Sequence, residues 1–128
     1  MKIADAIAEV DEYCSNRVEI SQKLRWINRV ERRIIEEAIS RYPELMSLAE
    51  GFNGYIDSDI GKVSVELIVI EPYAELYIHY IAAQIHLMYY EQKHYNNEIE
   101  IFNSLLADYK IYLNRKYRPG GRKKFRAR

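Results

Sequence analysis

Apolar side chains recur along the first third of the chain with helical spacing. Ile3, Ile7, Val10 and Cys14 fall four, three and four positions apart, predicting a short amphipathic helix that ends at Asn16 and Arg17. Leu24, Ile27, Val30, Ile34, Ala38 and Tyr42 continue the pattern in a second helix. Its start is expected at a Ser21 cap and its stop at Pro43, because the residue before a proline is pushed out of helical geometry. Arg25, Arg29, Arg32, Glu36 and Glu37 lie largely off that stripe.

The pattern then breaks. Residues 43–62 hold Pro43, Gly51, Asn53, Gly54, Asp57, Ser58, Asp59 and Gly61, a density of turn formers that predicts an irregular excursion. "VSVELIVI" follows, β-branched and aliphatic, with Val63, Val65, Leu67 and Val69 on one side. It reads as a strand, paired with the "GYI" stretch as a hairpin or with another element or copy.

From Pro72, suited to a first helical position, to Tyr90 a helix is predicted whose polar residues are Glu75, His79, Gln84 and His86, of which Glu75, His79 and His86 share one narrow stripe. Such a helix must be covered on most sides, and self-association is the expected cover. A last helix carries the seam Tyr95, Ile99, Phe102, Leu106, Tyr109, Leu113, widened by Ile101, Leu105 and Tyr112. No glycine or proline separates these two helices. A turn near Gln92 to Tyr95 is expected, since one helix of more than about 40 residues is rare in a small domain. The predicted fold is mostly α: a four-helix domain with two N-terminal helices, a short β-strand or hairpin excursion, and two long antiparallel C-terminal helices. The domain is expected over residues 1–117, with a flexible basic tail over 118–128.

Composition changes this picture in four ways. Twelve tyrosines against three phenylalanines favour half-buried surfaces, where a ring packs and its hydroxyl still finds a partner. The single cysteine, Cys14, excludes an intrachain disulfide and a cysteine-rich zinc site. With acids at Asp5, Glu9, Asp11 and Glu12 where a signal peptide needs an apolar core, and no long apolar span, a soluble cytosolic protein without a membrane partner is expected. Finally, the zero net charge conceals a segregation. Residues 115–128 carry eight basic side chains and no acid, leaving 11 basic against 19 acidic on the rest, a body near −8. The tail is expected to meet an anionic partner.

Three stretches, "EPYAELYIHYIAAQI" at 71–85, "YNNEIEIFNSLLADYKIYLNRKYRP" at 95–119 and more loosely "LRWINRVERRIIEE" at 24–37, resemble the head-tail connector, or adaptor, proteins of tailed bacteriophages and prophages. The resemblance covers most of the chain except the 43–62 loop. It implies a virion structural protein at the head-tail junction, assembled in the bacterial cytoplasm. Such a helical subunit forms a homo-oligomeric ring beneath the portal, surrounds the DNA passage without reading sequence, and receives stopper or tail proteins. It also implies that the C-terminal extension grips the portal, which here assigns portal or DNA contact to Arg115, Lys116, Arg118, Arg122, Lys123, Lys124, Phe125, Arg126 and Arg128. The subunit interface is expected at Tyr77, Ile81, Met88, Tyr89, Ile101, Leu105 and Tyr112.

Glu91 and His94 have the Glu-x-x-His spacing of di-iron bundles, but one copy lacks the remaining ligands, so no metal or cofactor is expected. His79 and His86 read as hydrogen-bonded residues or as a pH-sensitive interface. Trp26 reads as a core or helix-packing anchor. No phosphate loop, nucleophile elbow or catalytic carboxylate pair is present, and enzyme activity is not expected. The tail could dock a portal, contact DNA or only solvate the protein. The alternative function is a small helical nucleic-acid-binding regulator using the tail and the Arg25, Arg29, Arg32 and Arg33 face, against the repulsion of an acidic body.

Overall fold

Helix α1 (Ile3–Tyr13) buries Ile3, Ala6, Ile7 and Val10, the stripe that its spacing predicts, with Cys14 buried just beyond the helix end. A computed structural model describes residues 1–117 of the chain. The expected tail, 118–128, lies outside the described residues. Among the described residues there are five α-helices: α1, α2 (Ile20–Glu37), α3 (Met46–Gly51), α4 (Glu75–Met88) and α5 (Gln92–Lys116).

Asn16 organises the α1–α2 link. Its amide donates to the Cys14 carbonyl at 2.8 Å and to Asp11 at 3.0 Å, while its carbonyl accepts from the Val18 N–H at 3.0 Å. Helix α2 starts after Glu19, ahead of the expected Ser21 cap, and no side chain caps it. Its stripe is buried throughout, and Trp26 lies in the core. The α-helix ends at Glu37, before Pro43, and continues as a 3-10 turn over Ile39–Arg41. Tyr42 is extended, as a residue before proline should be, and Pro43 opens a second 3-10 turn. The expected irregular excursion therefore contains the short helix α3.

Helix α4 is buried over most of its circumference: Leu76, Tyr77, Ile78, Tyr80, Ile81, Ala82, Ala83 and Ile85 are all inside. Helices α1, α2 and α5 of the same chain pack against it. At about 1.5–3 kcal/mol for each large apolar side chain fully buried, this helix is the centre of the hydrophobic stabilisation. The apolar circumference of α4 from Leu76 to Ile85 is thus covered within one chain, leaving Leu87 and Met88 exposed at its C-terminal end. Pro72 sits ahead of the helix, in a turn with a cis Glu71–Pro72 bond, and not at its first position. Tyr89 to Glu91 turn the chain into α5, three residues earlier than expected, and Tyr90 adopts a left-handed φ of 60°. On α5, Phe102, Leu106, Tyr109 and Leu113 are buried as the seam predicts, with Tyr95 and Ile99 half-buried.

The expected strand is not formed: among the described residues there is no strand, only an isolated bridge between Lys2 and Glu66. The reason lies in where the backbone finds partners. Leu67 N–H donates to the Met1 carbonyl at 2.9 Å, Ile68 N–H to Glu31 Oε2 at 3.0 Å, and Val69 N–H to Tyr77 Oη at 3.0 Å. Side chains of α2 and α4 replace a neighbouring strand. Asn28 does the same for the "GYI" stretch, accepting from Tyr55 N–H at 2.7 Å and donating to its carbonyl at 3.0 Å.

Candidate interaction surfaces

The seven residues expected at a subunit interface separate into three groups. Tyr77 and Ile81 have no solvent exposure and belong to the core, so they are removed from any interface. The sequence pattern misplaced them because α4 is apolar nearly all round, and periodicity cannot say which side its own chain covers. Met88 and Tyr89 are exposed at the α4–α5 turn, while Ile101, Leu105 and Tyr112 lie along the outer side of α5, exposed or half-buried.

The turn forms an apolar apex. Leu87, Met88, Tyr89 and Tyr90 are consecutive, all large and all exposed, Tyr90 to 95%. Leu87 and Met88 line a shallow groove with Gln22, Trp26 and Gln84. The apex is braced from beneath: Arg17 N–H donates to Tyr89 Oη at 3.2 Å, and His86 Nδ1 lies 2.7 Å from Glu91 Oε1. His94 packs its ring 5.0 Å from that of His86, and Cys14 Sγ lies 3.7 Å from His86 Nε2. Glu91 of the Glu-x-x-His pair is thus engaged with His86. Among the described residues no group of three or more histidine, cysteine, aspartate and glutamate side chains is arranged to hold a metal ion.

A second groove runs beside α5, lined by Glu75, His79, Glu100, Ile101, Ser104 and Leu105. A neighbouring groove shares Glu75 and His79 and adds Glu9, Glu12, Tyr13 and Ile78. His79, shared by both grooves, belongs to a three-residue cluster: Glu98 accepts from Tyr13 Oη at 2.7 Å and lies 2.7 Å from His79 Nδ1. The bond to Glu98, helped by burial, pushes the Tyr13 phenol up to about 12. Of the stripe Glu75, His79 and His86, the two histidines are therefore each paired with a carboxylate. The Glu9 carboxyl is pushed up by burial and then by the nearby Glu75, Glu71, Asp5 and Glu12.

At the far end of α5, Arg115 and Lys116 are exposed. Lys116 Nζ donates to Tyr112 Oη at 3.0 Å and sits 5.5 Å from the rings of Tyr112 and Tyr117. The hydrogen bond it donates to Tyr112 holds its ammonium above the ordinary lysine range. The other contact residues expected, Arg118, Arg122, Lys123, Lys124, Phe125, Arg126 and Arg128, lie outside the described residues. Of the arginine face, Arg25, Arg29 and Arg32 are exposed. Arg33 is engaged elsewhere, with Glu37 at 2.8 Å and over the Phe102 ring at 5.1 Å.

Three charged residues escaped the sequence reading: Lys23, Glu31 and Glu98 are buried. Lys23 Nζ reaches Asp11 at 2.6 Å and ties α2 to α1. Glu31 falls four after Ile27 and three before Ile34, on the inward stripe, so its burial was legible in its position. No helix among the described residues is long and apolar enough to cross a membrane. No protein-family model, curated protein or solved structure matches this chain.

Proposed function

We propose that this chain is a structural subunit of a tailed-phage particle, a ring-forming connector that docks between a portal vertex and the stopper or tail proteins around the DNA passage. Sequence resemblance suggests the family. The observation that carries the reading is the two-ended character of the α4–α5 hairpin. One end presents the exposed apolar apex Leu87 to Tyr90, and the other presents Arg115 and Lys116 leading into a basic tail. The 25 residues of α5 separate these ends by about 37 Å. A subunit that joins two unlike partners needs two chemically unlike surfaces held apart by a rigid element. Exposed apolar patches of this kind mark protein contacts, and a heterologous contact repeated by rotation closes a ring.

The test is the mass of the purified protein by light scattering over a concentration series, alone and with portal protein. Leu87→Asp/Met88→Asp and a chain ending at Pro119 are run in parallel. A ring-sized species, alone or on the portal, that the apex variant abolishes supports the connector. A monomer indifferent to portal, whose tail binds duplex DNA with steep salt dependence, supports the nucleic-acid regulator instead.

A further inference from the structure

Two stripes of opposite charge run along the outside of the first two helices. On α1, Asp5, Glu9 and Glu12 are exposed at spacings of four and three; on α2, Arg25, Arg29 and Arg32 are exposed at the same spacings. Each stripe covers about 10 Å of helix, so the two match in length. Among the described residues none of the six enters an ion pair. Like charges three and four positions apart oppose the helix that carries them, so each stripe gains from counter-charge brought by another element.

Within one chain the stripes face apart. Lys23 meets Asp11 at 2.6 Å and marks the side on which α2 faces α1. At about 100° per residue, Arg25, Arg29 and Arg32 lie about 120–180° round α2 from Lys23, and Asp5, Glu9 and Glu12 lie about 100–160° round α1 from Asp11. Apolar surface accompanies both. Arg25 Nη1 donates to Gln22 Oε1 at 2.9 Å, and Gln22 shares its groove with Leu87 and Met88 of the apex. Tyr13, 51% exposed, stands in the groove that Glu9 and Glu12 line.

We propose that the partner of these stripes is a second copy of this chain, with Arg25, Arg29 and Arg32 of one copy docking head to tail on Asp5, Glu9 and Glu12 of the next. A nucleic acid would satisfy the arginines alone, and residues 1–114, with 11 basic against 19 acidic side chains, repel a polyanion. A second copy satisfies both stripes. The charges fix register and the neighbouring apolar groups supply contact area. Each contact leaves one stripe on each copy open, so the contact repeats, and it closes a ring where the rotation permits. The inference deepens the connector reading by naming the surfaces through which copies meet, and rests on that reading for the closure into a ring.

The experiment is sedimentation velocity of the full chain over a concentration series, for wild type, for Glu9→Arg/Glu12→Arg, for Arg25→Glu/Arg29→Glu and for an equimolar mixture of the two variants, their fold checked by circular dichroism. Wild type is expected to associate, and each variant alone to associate at least about tenfold more weakly. The mixture should regain association, because one variant is left net basic on both stripes and the other net acidic. Wild-type association should weaken similarly between about 0.1 M and about 1 M salt, where the screening length drops from about 10 Å to about 3 Å. That arm keeps the test decisive if a variant does not fold. Association that survives either reversal, that folded variants do not regain on mixing, or that ignores salt overturns the proposal. So does a wild-type chain that stays monomeric, a result that leaves the connector reading standing if rings form on added portal. Association through the stripes by a chain indifferent to portal keeps the proposal and removes the connector. Arginine reversal that abolishes duplex DNA binding and leaves self-association intact assigns the stripe to the regulator and overturns the proposal.

Discussion

Tyr77 Oη donates to Glu31 Oε1 at 2.5 Å, a bond between two residues with no solvent exposure, 46 positions apart. The same phenol oxygen accepts from Val69 N–H, and the other carboxylate oxygen accepts from Tyr55 Oη at 2.6 Å and from Ile68 N–H. One carboxylate thus fastens the irregular 63–70 segment and the 55 region to α2 and α4. Removing it strands three donors at once, one of them the fully buried Tyr77 hydroxyl. Glu31→Ala is expected to cost about 3–5 kcal/mol in urea unfolding, and Glu31→Gln, which still offers one acceptor, about half of that. Equal losses would mean that the network does not depend on acceptor count.

Burial raises the Glu31 carboxyl above its ordinary range, outweighing the hydrogen bonds from Tyr55, Tyr77 and Ile68 that lower it. A raised folded value means that the native state holds the proton longer, so ionisation of this group opposes folding. Its contribution is therefore most favourable below the ordinary carboxylate value of about 4.3 and is lost as pH rises through the raised folded value. The stability difference between wild type and Glu31→Gln, measured between about pH 4 and pH 8, should shift toward the glutamine variant with rising pH. A shift in the other direction contradicts the raised carboxyl.

Tyr90 keeps a left-handed backbone while its side chain is almost wholly in solvent. Left-handed geometry costs a non-glycine residue about 1–2 kcal/mol, part of which glycine gives back in unfolded-state entropy. Tyr90→Gly is expected to raise stability by about 0.5–1 kcal/mol while weakening any assembly through the apex. Thermal melts beside light scattering check both halves; a destabilised variant would show that the Tyr90 ring supports the fold.

Gly54 has φ +95°, and a Cβ there would stand 3.3 Å from Arg32 Nη2. Gly54→Ala should cost about 1–2 kcal/mol, since it meets both backbone strain and a crowded guanidinium. Gly61→Ala, where nothing lies within 4 Å of the added carbon, is the control and should change little. Chemical denaturation of the pair decides it: similar small effects at both sites would remove the strain argument.

Cys14 is buried, and burial first, then the Glu98, Glu91 and Asp11 carboxylates, pushes its thiol up. Reaction requires the exposed thiolate, so a disulfide-exchange reagent should modify Cys14 at least tenfold more slowly in native protein than in urea. Native reactivity at the unfolded rate would place the α1–α4 edge in solvent.

Much of the fold was legible because periodicity is a property of a single element. The stripes of α1, α2 and α5 and the segregation of charge into residues 115–128 follow from the order of residues alone. The buried side of α4 was not legible, because an apolar circumference carries no direction until α1, α2 and α5 close around it. That is why Tyr77 and Ile81 were misplaced on a surface. The α4–α5 turn gave no glycine or proline signal because Tyr90 takes the left-handed position itself.

The strand over 63–70 failed for a related reason. β propensity favours an extended backbone, and residues 63–70 are free of helix, but propensity does not name the partner of each N–H. Tertiary structure supplied Glu31 and Tyr77, groups from α2 and α4 that no local pattern connects to Ile68 and Val69. Sequence by itself determined which helices form, which of their faces are apolar and where the positive charge collects. Tertiary structure decided which apolar faces stay exposed and which donors meet which acceptors, because burial and hydrogen bonding depend on residues far apart in the chain.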